Sequence, residues 1–171
     1  MKKIIITLLL AFIPSLFFAQ TVFDKYDGLD EVTAVVVSKK MFEMMGNVKT
    51  NNKDSQQFLS LVKTLDNLKV FTTSDTKYRA DMRTTINSYL SSKALEELMR
   101  VSDSSSNVKI YVNSGGSATQ IKELLMFIDG KSDKETVIVS LTGNFDLNNI
   151  SALVDKMNLP GGEQLKKASK K

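Results

Sequence analysis

The chain has 171 residues, lacks cysteine, histidine and tryptophan, and carries a formal net charge of +4. Without histidine and cysteine it can form no Ser-His-Asp or Cys-His catalytic site, no disulfide and few zinc or copper sites. The basic excess, 23 Lys and Arg against 19 Asp and Glu, is too small to indicate a nucleic-acid partner.

The first 19 residues have the pattern of a secretory signal peptide. Lys2 and Lys3 precede an apolar run over residues 4–18, which is shorter than the ~20 residues that a membrane-spanning helix needs. The small residue Ala19 follows, at the position before a cleavage site. We therefore expect cleavage after Ala19 and a periplasmic or secreted protein with no stable membrane span. A retained N-terminal anchor is the alternative.

Residues 32–37 are apolar at almost every position, as in a central strand that is buried on both faces. A short helix is predicted next, and Gly46 is expected to end it. Its core-facing residues recur at i, i+3, i+4 and i+7: Met41, Met44, Met45 and Val48. Methionine thioethers also bind copper, but no His or Cys is present to complete such a site, and core packing explains the same spacing.

Two more helices and an intervening strand are predicted between residues 54 and 90. Asp54 or Ser55 is expected to cap the first helix and Asp75 or Thr76 the second, and residues 68–74 alternate as in a strand. The core-facing residues recur at helical spacing: Phe58, Leu61, Val62 and Leu65 in the first helix, and Tyr78, Met82, Ile86 and Leu90 in the second.

The C-terminal half predicts an antiparallel meander. Apolar segments at 95–101, 107–113, 121–128 and 135–142 are separated by short turn-rich stretches. The first of them also suits a helix, because Leu and Glu are good helix formers. A last helix is expected after Asp146 and is ended by residues 160–162. Its inward-facing residues are Leu147, Ile150, Leu153, Val154 and Met157.

These elements predict a single α+β domain over residues 20–159. Its antiparallel or mixed sheet would carry a C-terminal β-meander packed against helices. Residues 160–171, which end in KKASKK, are expected to form a basic, disordered tail.

Two clusters of carboxylates invite comparison with calcium loops. Neither has the alternating order of acidic residues that an EF-hand loop needs, so solvated charges and a hairpin turn explain them better. The clusters are Asp24, Asp27, Asp30 and Glu31 before the first strand, and Asp129, Asp133 and Glu135 between the last two.

Two glycine-containing stretches could be loops with a binding role. Residues 114–119, SGGSAT, lack the Gly-Lys-Ser/Thr ending of a phosphate loop and are predicted to form a hairpin loop. Gly143 is expected to let the chain turn from strand to helix, with Asp146 covering the first helical amides. A binding role at this strand end is the alternative.

The Ser-x-x-Lys spacing of some histidine-free hydrolases occurs three times. Helix caps, turns and surface positions explain these pairs better than catalysis. They are Ser60 with Lys63, Ser74 with Lys77, and Ser106 with Lys109.

Four stretches resemble an exported Bacteroidetes family, the domain-of-unknown-function family numbered 4252. They are VVVSKKMFEMM, LEELMRV, IKELLMFIDG and VIVSLTGNFDLNNISAL. The resemblance extends from about Val32 to Leu153. It implies a small, exported α+β domain with no established activity, and it supplies no catalytic or ligand-binding residues.

We therefore expect an exported, non-enzymatic interaction or binding module of the bacterial cell envelope, whose partner is an envelope protein or ligand. Its working surface would be a face of the meander, or an edge strand that pairs with a strand of the partner. No catalytic, cofactor-binding or metal-binding residue is assigned, and no cofactor is expected. Two alternatives stay open: an envelope hydrolase using Ser and Lys or carboxylates, and a carrier with an apolar cavity behind Phe127 and Ile138.

Overall fold

The structure is a computed structural model that describes residues 21–117 and 119–169, with the side chain of Asp54 excluded. The predicted signal peptide, residues 1–19, lies outside the described residues. Cleavage after Ala19 therefore stays a prediction.

The fold is built on a six-stranded sheet. The strands are β1 Thr33–Ser38, β2 Leu65–Thr73, β3 Glu96–Ser102, β4 Ser106–Ser114, β5 Gln120–Gly130 and β6 Thr136–Asp146. Their order across the sheet is β1-β2-β6-β5-β4-β3, and every neighbouring pair is antiparallel. The predicted α+β class and the C-terminal meander are thereby confirmed. The segment that also suited a helix, 95–101, forms β3, and the SGGSAT segment links β4 to β5.

Five α-helices cover this sheet in the described part of the chain. They are α1 Lys39–Gly46, α2 Lys53–Val62, α3 Thr76–Ser92, α4 Ile150–Met157 and α5 Gly162–Ala168. α3 packs on one face together with residues 21–32, which we call the N-terminal segment. The other four helices pack on the opposite face. The result is three layers, with the sheet between two layers of helix.

The sheet separates two apolar cores. On the side of α1, α2, α4 and α5, Phe42, Leu61 and Phe145 are at most 2% exposed. On the α3 side, Phe23 and Phe71 are fully buried. Because successive strand residues point to opposite faces, the central strands supply side chains to both cores. Each fully buried aromatic or aliphatic side chain contributes about 2–3 kcal/mol of hydrophobic stabilisation.

The start of α3 is capped by Asp75, one of the two residues predicted for this position. Asp75 accepts hydrogen bonds from the amides of Lys77 and Tyr78, at 2.9 and 3.1 Å, and is the N-cap. An N-cap carboxylate satisfies amides that have no partner within the helix and interacts favourably with the helix dipole.

The start of α2 differs from the prediction. Its N-cap is Asn52, whose side-chain oxygen accepts from the Ser55 amide at 3.1 Å, rather than Asp54 or Ser55. Asn is as good an N-cap as Asp or Ser, so the sequence of a polar run does not identify which of its residues begins the helix. α2 also ends at Val62, and Leu65 begins β2 instead of extending the helical stripe.

β1 is an edge strand, so the prediction of a central strand is wrong. It pairs only with β2, and Val35 and Val36 are 48% and 46% exposed. Apolar residues on both faces are typical of a buried strand. The pattern records which residues are apolar, however, and does not identify the neighbours of the strand.

The expected disordered tail contains a helix. α5 begins after Gly161, and Leu165 and Ala168 are 2% and 4% exposed in the core beneath α4. Lys166 and Lys167 lie in its last turn, where cations interact favourably with the helix dipole. Lys166 and Lys167, two of the lysines that indicated a solvated tail, are therefore part of a short amphipathic helix.

Gly143 lies within β6 and does not mark the turn from strand to helix. β6 continues to Asp146, whose side chain accepts from the Asn148 amide at 2.9 Å and starts a 3-10 turn into α4. Gly143 faces Leu65 of β2 at a register shift, and a Cβ here would strike the carbonyl oxygen of Thr64. Glycine is needed because β2 and β6 approach closely.

Replacing Gly143 by Ala should lower the free energy of unfolding by about 2 kcal/mol, because the backbone of β2 must move to admit the methyl group. Urea denaturation followed by circular dichroism measures the change. Gly116→Ala is the matched control, because a Cβ at Gly116 meets no atom within 4 Å. Equal stability of the two variants would contradict the steric role of Gly143.

Candidate binding surface

Exposed apolar side chains are concentrated in one short stretch of the chain. Of the six large apolar residues exposed in the described part, all except Val22 lie between residues 35 and 48. Single exposed apolar residues are normal, whereas a cluster is typical of a binding surface. We call the cluster the β1–α1 surface: Val35, Val36, Met41, Met44 and Val48.

The orientation of α1 creates half of this surface. Phe42 is fully buried and Met45 packs against the same core, whereas Met41 and Met44 are 47% and 55% exposed. The prediction that the methionine stripe faces the core therefore holds for Met45 alone and is wrong for Met41, Met44 and Val48. The helix has more apolar residues than one face can hold, and the larger Phe42 takes the buried position.

β1 supplies the other half. Val35 is opposite Val70 in the register, which places it on the sheet face that α1 covers. Val36 is opposite Lys69, on the α3 side. The free edge of the sheet therefore presents Val35 on the face that carries α1 and Val36 on the opposite face.

The two edges of the sheet differ in how they are protected. β3 has a register shift between Glu97 and Met99, and Arg100 donates two hydrogen bonds to the Glu97 carboxylate at 3.0 and 2.6 Å. Irregularities and charges of this kind prevent unwanted strand pairing. β1, with the sequence TAVVVS, has neither charge nor proline and pairs with β2 in an unbroken register. Its outer edge is suited to accept a strand.

The carboxylates of the N-terminal segment are not assembled into a metal site. Asp24 forms an ion pair with the buried Lys69 and accepts hydrogen bonds from the amide and hydroxyl of Thr21, both at 3.0 Å. Burial by itself raises the pKa of the Asp24 carboxyl, but Lys69 and Thr21 outweigh it and hold the pKa below its ordinary value. In the described ranges, no three acidic side chains are grouped as a metal ion would need.

A second polar contact joins the N-terminal segment to α3. The hydroxyl of Tyr26 lies 2.8 Å from the Asp81 carboxylate, to which it donates, and 2.8 Å from the Thr85 hydroxyl. Burial is the main reason that the pKa of Tyr26 is raised, and Asp81 adds to the effect. Lys25 pairs with Asp81 at 2.6 Å and lowers the pKa of that carboxyl. These groups join the two parts of the layer that covers the α3 side of the sheet.

The carboxylate-rich hairpin between β5 and β6 is held by a buried arginine. Arg79 of α3 is 8% exposed and donates to the carbonyl oxygens of Gly130 and Ser132, at 2.5 and 2.6 Å, and to the Thr136 hydroxyl at 3.2 Å. Ser132 has a left-handed φ of 51°. The guanidinium thus takes two of the carbonyl oxygens that a bound cation would need, and the loop is a turn fixed by α3.

The three Ser-x-x-Lys pairs are not assembled as catalytic pairs. Throughout the described chain, no hydroxyl of Ser60, Ser74 or Ser106 is hydrogen-bonded to a lysine; that of Ser60 donates to the Gln56 carbonyl oxygen at 2.9 Å within α2. Ser74 is exposed in the turn before α3. Ser106 and Lys109 lie on β4, where residues three apart point to opposite faces.

The region behind Phe127 and Ile138 is packed protein. Ile138 is fully buried, Phe127 is 6% exposed, and both belong to the core beneath α3. This packing gives no support to the predicted carrier cavity.

The comparisons with known proteins bear on this architecture. The family described as a domain of unknown function (DUF4252) matches residues 26–153. The chain belongs to this family. The matched range includes the β1–α1 surface and the whole sheet, while Phe23 and α5 extend the two cores beyond it. No curated protein and no solved structure matches the chain significantly.

Among the described residues of this DUF4252 chain, no helix has the length and apolar character needed to cross a membrane. α3, the longest of them, extends from Thr76 to Ser92 and carries buried Arg79 and Thr85 among its core residues.

The Asp24–Lys69 pair predicts a specific dependence of stability on acid. Because the pKa of Asp24 is lowered in the folded state, its contribution is fully present above the unfolded value of about 4 and is lost as the pH falls below it. Asp24→Asn should cost about 2 kcal/mol at neutral pH, since it leaves Lys69 buried without a counter-ion.

Unfolding free energies measured from neutral pH to about pH 3 test this assignment. The difference between wild type and Asp24→Asn should shrink below about pH 4, because the Asp24 carboxylate of the unfolded chain takes up a proton there before that of the folded chain does. A difference that stays constant over this range would contradict the ion pair.

The hydrogen bonds from Arg79 to the β5–β6 hairpin predict unequal contributions to stability for two arginines of α3, Arg79 and Arg83. Arg79→Met should destabilise the protein by about 3 kcal/mol, because it leaves buried oxygens without donors. Arg83→Met should cost less than about 1 kcal/mol, because its pair with Asp129 is partly exposed. Urea denaturation measures both, and hydrogen exchange at residues 131–135 should accelerate only in the Arg79 variant. Equal destabilisation and equal hydrogen exchange in the two variants would contradict this role of Arg79.

Proposed function

We propose that this DUF4252 chain is an exported, non-enzymatic interaction module of the bacterial cell envelope, which binds a partner protein through the β1–α1 surface. The observation that carries the proposal is an unprotected edge strand beside a helix whose exposed stripe is apolar. The export component rests on the signal-peptide pattern of residues 1–19 and puts the module in the periplasm or outside the cell.

The geometry supports binding by strand addition. An extended segment of the partner pairs with the outer edge of β1, whose backbone N–H and C=O groups make the main-chain hydrogen bonds. Alternate side chains of that segment contact Val35 on one face and Val36 on the other. Because β1 carries no charge, it favours an uncharged, β-branched segment.

The stripe of α1 completes the proposed interface. Met41 and Met44 are flexible and polarizable, so they adapt to apolar residues next to the added strand. Lys40 and Glu43, both exposed, flank the stripe and supply the polar rim that protein interfaces usually have.

The hydrolase alternative has no comparable support. A cavity of about 620 Å³ along α3 contains Asp81, Thr85 and Ser88, but Asp81 is the single carboxylate among its described lining residues. That carboxylate is already paired with Lys25 and accepts from Tyr26. A two-carboxylate or Ser-Lys mechanism needs a group that is free to take up a proton.

Capture from an envelope extract of the native host, quantified by mass spectrometry, tests the proposal. Val36→Lys and Met44→Lys should each reduce recovery of the partner at least about tenfold, because each puts a charge into the apolar interface. A synthetic peptide copied from the captured partner should then compete with it.

Two controls keep the result interpretable. Ser102→Lys adds a charge to the opposite edge strand, and Val22→Lys replaces a similarly exposed valine outside the surface. Neither should reduce recovery. Equal recovery by all four variants, with unchanged thermal stability, would contradict the β1–α1 surface as the interface.

A further inference from the structure

The helical face also contains an apolar groove, formed where the end of α1 and the following loop meet α2 and α4. Its volume is about 400 Å³, within the range of roughly 300–1,000 Å³ that is usual for small-molecule sites. The lining is mostly apolar, with cationic groups at the rim. We call it the α1–α2 groove, and the residues that define it are Met45, Val48, Phe58, Leu59, Lys49 and Lys156.

The rim of the groove is positively charged. Neither Lys49 nor Lys156 forms an ion pair with a described side chain. Asp155, the neighbour of Lys156, is held instead by Lys166 of α5 at 2.5 Å. An adjoining cavity of about 510 Å³ adds Lys63, and the described lining of both cavities includes no carboxylate.

The floor of the groove restricts the ligand further. Its larger apolar side chains, Met45 of α1 and Phe58 and Leu59 of α2, stand on helices whose backbone groups are largely satisfied internally, whereas Val48 and Lys49 belong to the loop between them. A peptide laid on this floor would lose water from its amides and gain few backbone partners there, which costs free energy. A hydrocarbon chain has no such groups to satisfy.

We infer that the α1–α2 groove binds a single-chain fatty acid. The chain lies on Met45, Phe58 and Leu59, and the carboxylate lies at the rim with Lys49 and Lys156. The apolar floor accounts for the chain, and the two ammonium groups, which form no ion pair with any described side chain, account for the anionic head. The groove shares Val48 with the β1–α1 surface, but neither lysine belongs to that surface, so substitutions of the lysines test the groove separately from partner binding at β1.

Isothermal titration calorimetry with dodecanoate, below its micellar concentration, tests the inference on the purified protein. We expect one dodecanoate per chain and an affinity that falls about fourfold for each methylene removed down to octanoate. The double variant Lys49→Gln/Lys156→Gln should weaken binding about tenfold. Lys122→Gln, an exposed lysine on β5, is the matched control and should bind as wild type does.

Three outcomes would overturn the inference. Dodecylamine binding as tightly as dodecanoate would show that the lysines do not select an anion. Several dodecanoate molecules per chain, with no effect of the double variant, would show nonspecific adsorption. Binding to phosphatidylglycerol vesicles without binding of free dodecanoate would assign the lysines to a membrane surface. Equal thermal midpoints for wild type and double variant would exclude misfolding as the cause of a loss of dodecanoate binding. Partner capture by the double variant would show separately whether binding at β1 is intact.

Discussion

The centre of the sheet is buried on both faces, and this two-sided burial is the constraint on which the rest of the structure depends. β2, β6 and β5 each place apolar side chains above and below the sheet, so each face needs its own helical layer. Four short helices serve one face, and one long helix with the N-terminal segment serves the other. The covering layers are centred on β2, β6 and β5, and the edge strands are left with exposed positions. The β1–α1 surface exists because this coverage stops short of β1.

Polar groups inside the α3 layer fix where it sits. Arg79 connects α3 to the β5–β6 hairpin, Tyr26 connects the N-terminal segment to α3, and Lys69 connects β2 to Asp24. Hydrophobic contact is non-directional and would tolerate a sliding helix. A buried donor costs about 1–3 kcal/mol when its acceptor is lost, so each of these contacts disfavours a shifted position. Among the side chains in the described ranges, every buried polar atom has a partner.

The sequence predicted those elements whose local signals and packing agree. Alternation between short turns identified β4, β5 and β6, and Asp75 marked the start of α3 because an N-cap acts within its own helix. The helical face of α1 differs from the prediction because its apolar residues spread over a wider arc than the buried face, and the larger Phe42 takes the buried position. These residues are Met41, Phe42, Met44 and Met45, four of the eight in the helix. β1 was placed centrally because composition does not reveal how many neighbours a strand has. The lysines of α5 indicated a solvated tail, although Leu165 and Ala168 are buried. Their burial depends on core residues that are distant in the sequence. Half of the β1–α1 surface lies in the methionine stripe of α1, which the sequence indicated as core. Comparing the number of apolar residues in α1 with the number that one helical face can bury would have shown that some of them must be exposed.

The free edge of β1 also bears on how the protein behaves when nothing is bound to it. Three consecutive valines with no proline or charge within the strand form a segment of high β-propensity, the type that seeds intermolecular sheet growth. Charged residues flank the strand on both sides, Asp30 and Glu31 before it and Lys39 and Lys40 after it, and Lys39 is paired with Asp66. These charges are screened at high ionic strength, so we expect the isolated chain to aggregate through this strand most readily there. A strand bound along β1, as in the proposed complex, would occupy the edge and remove this route to aggregation.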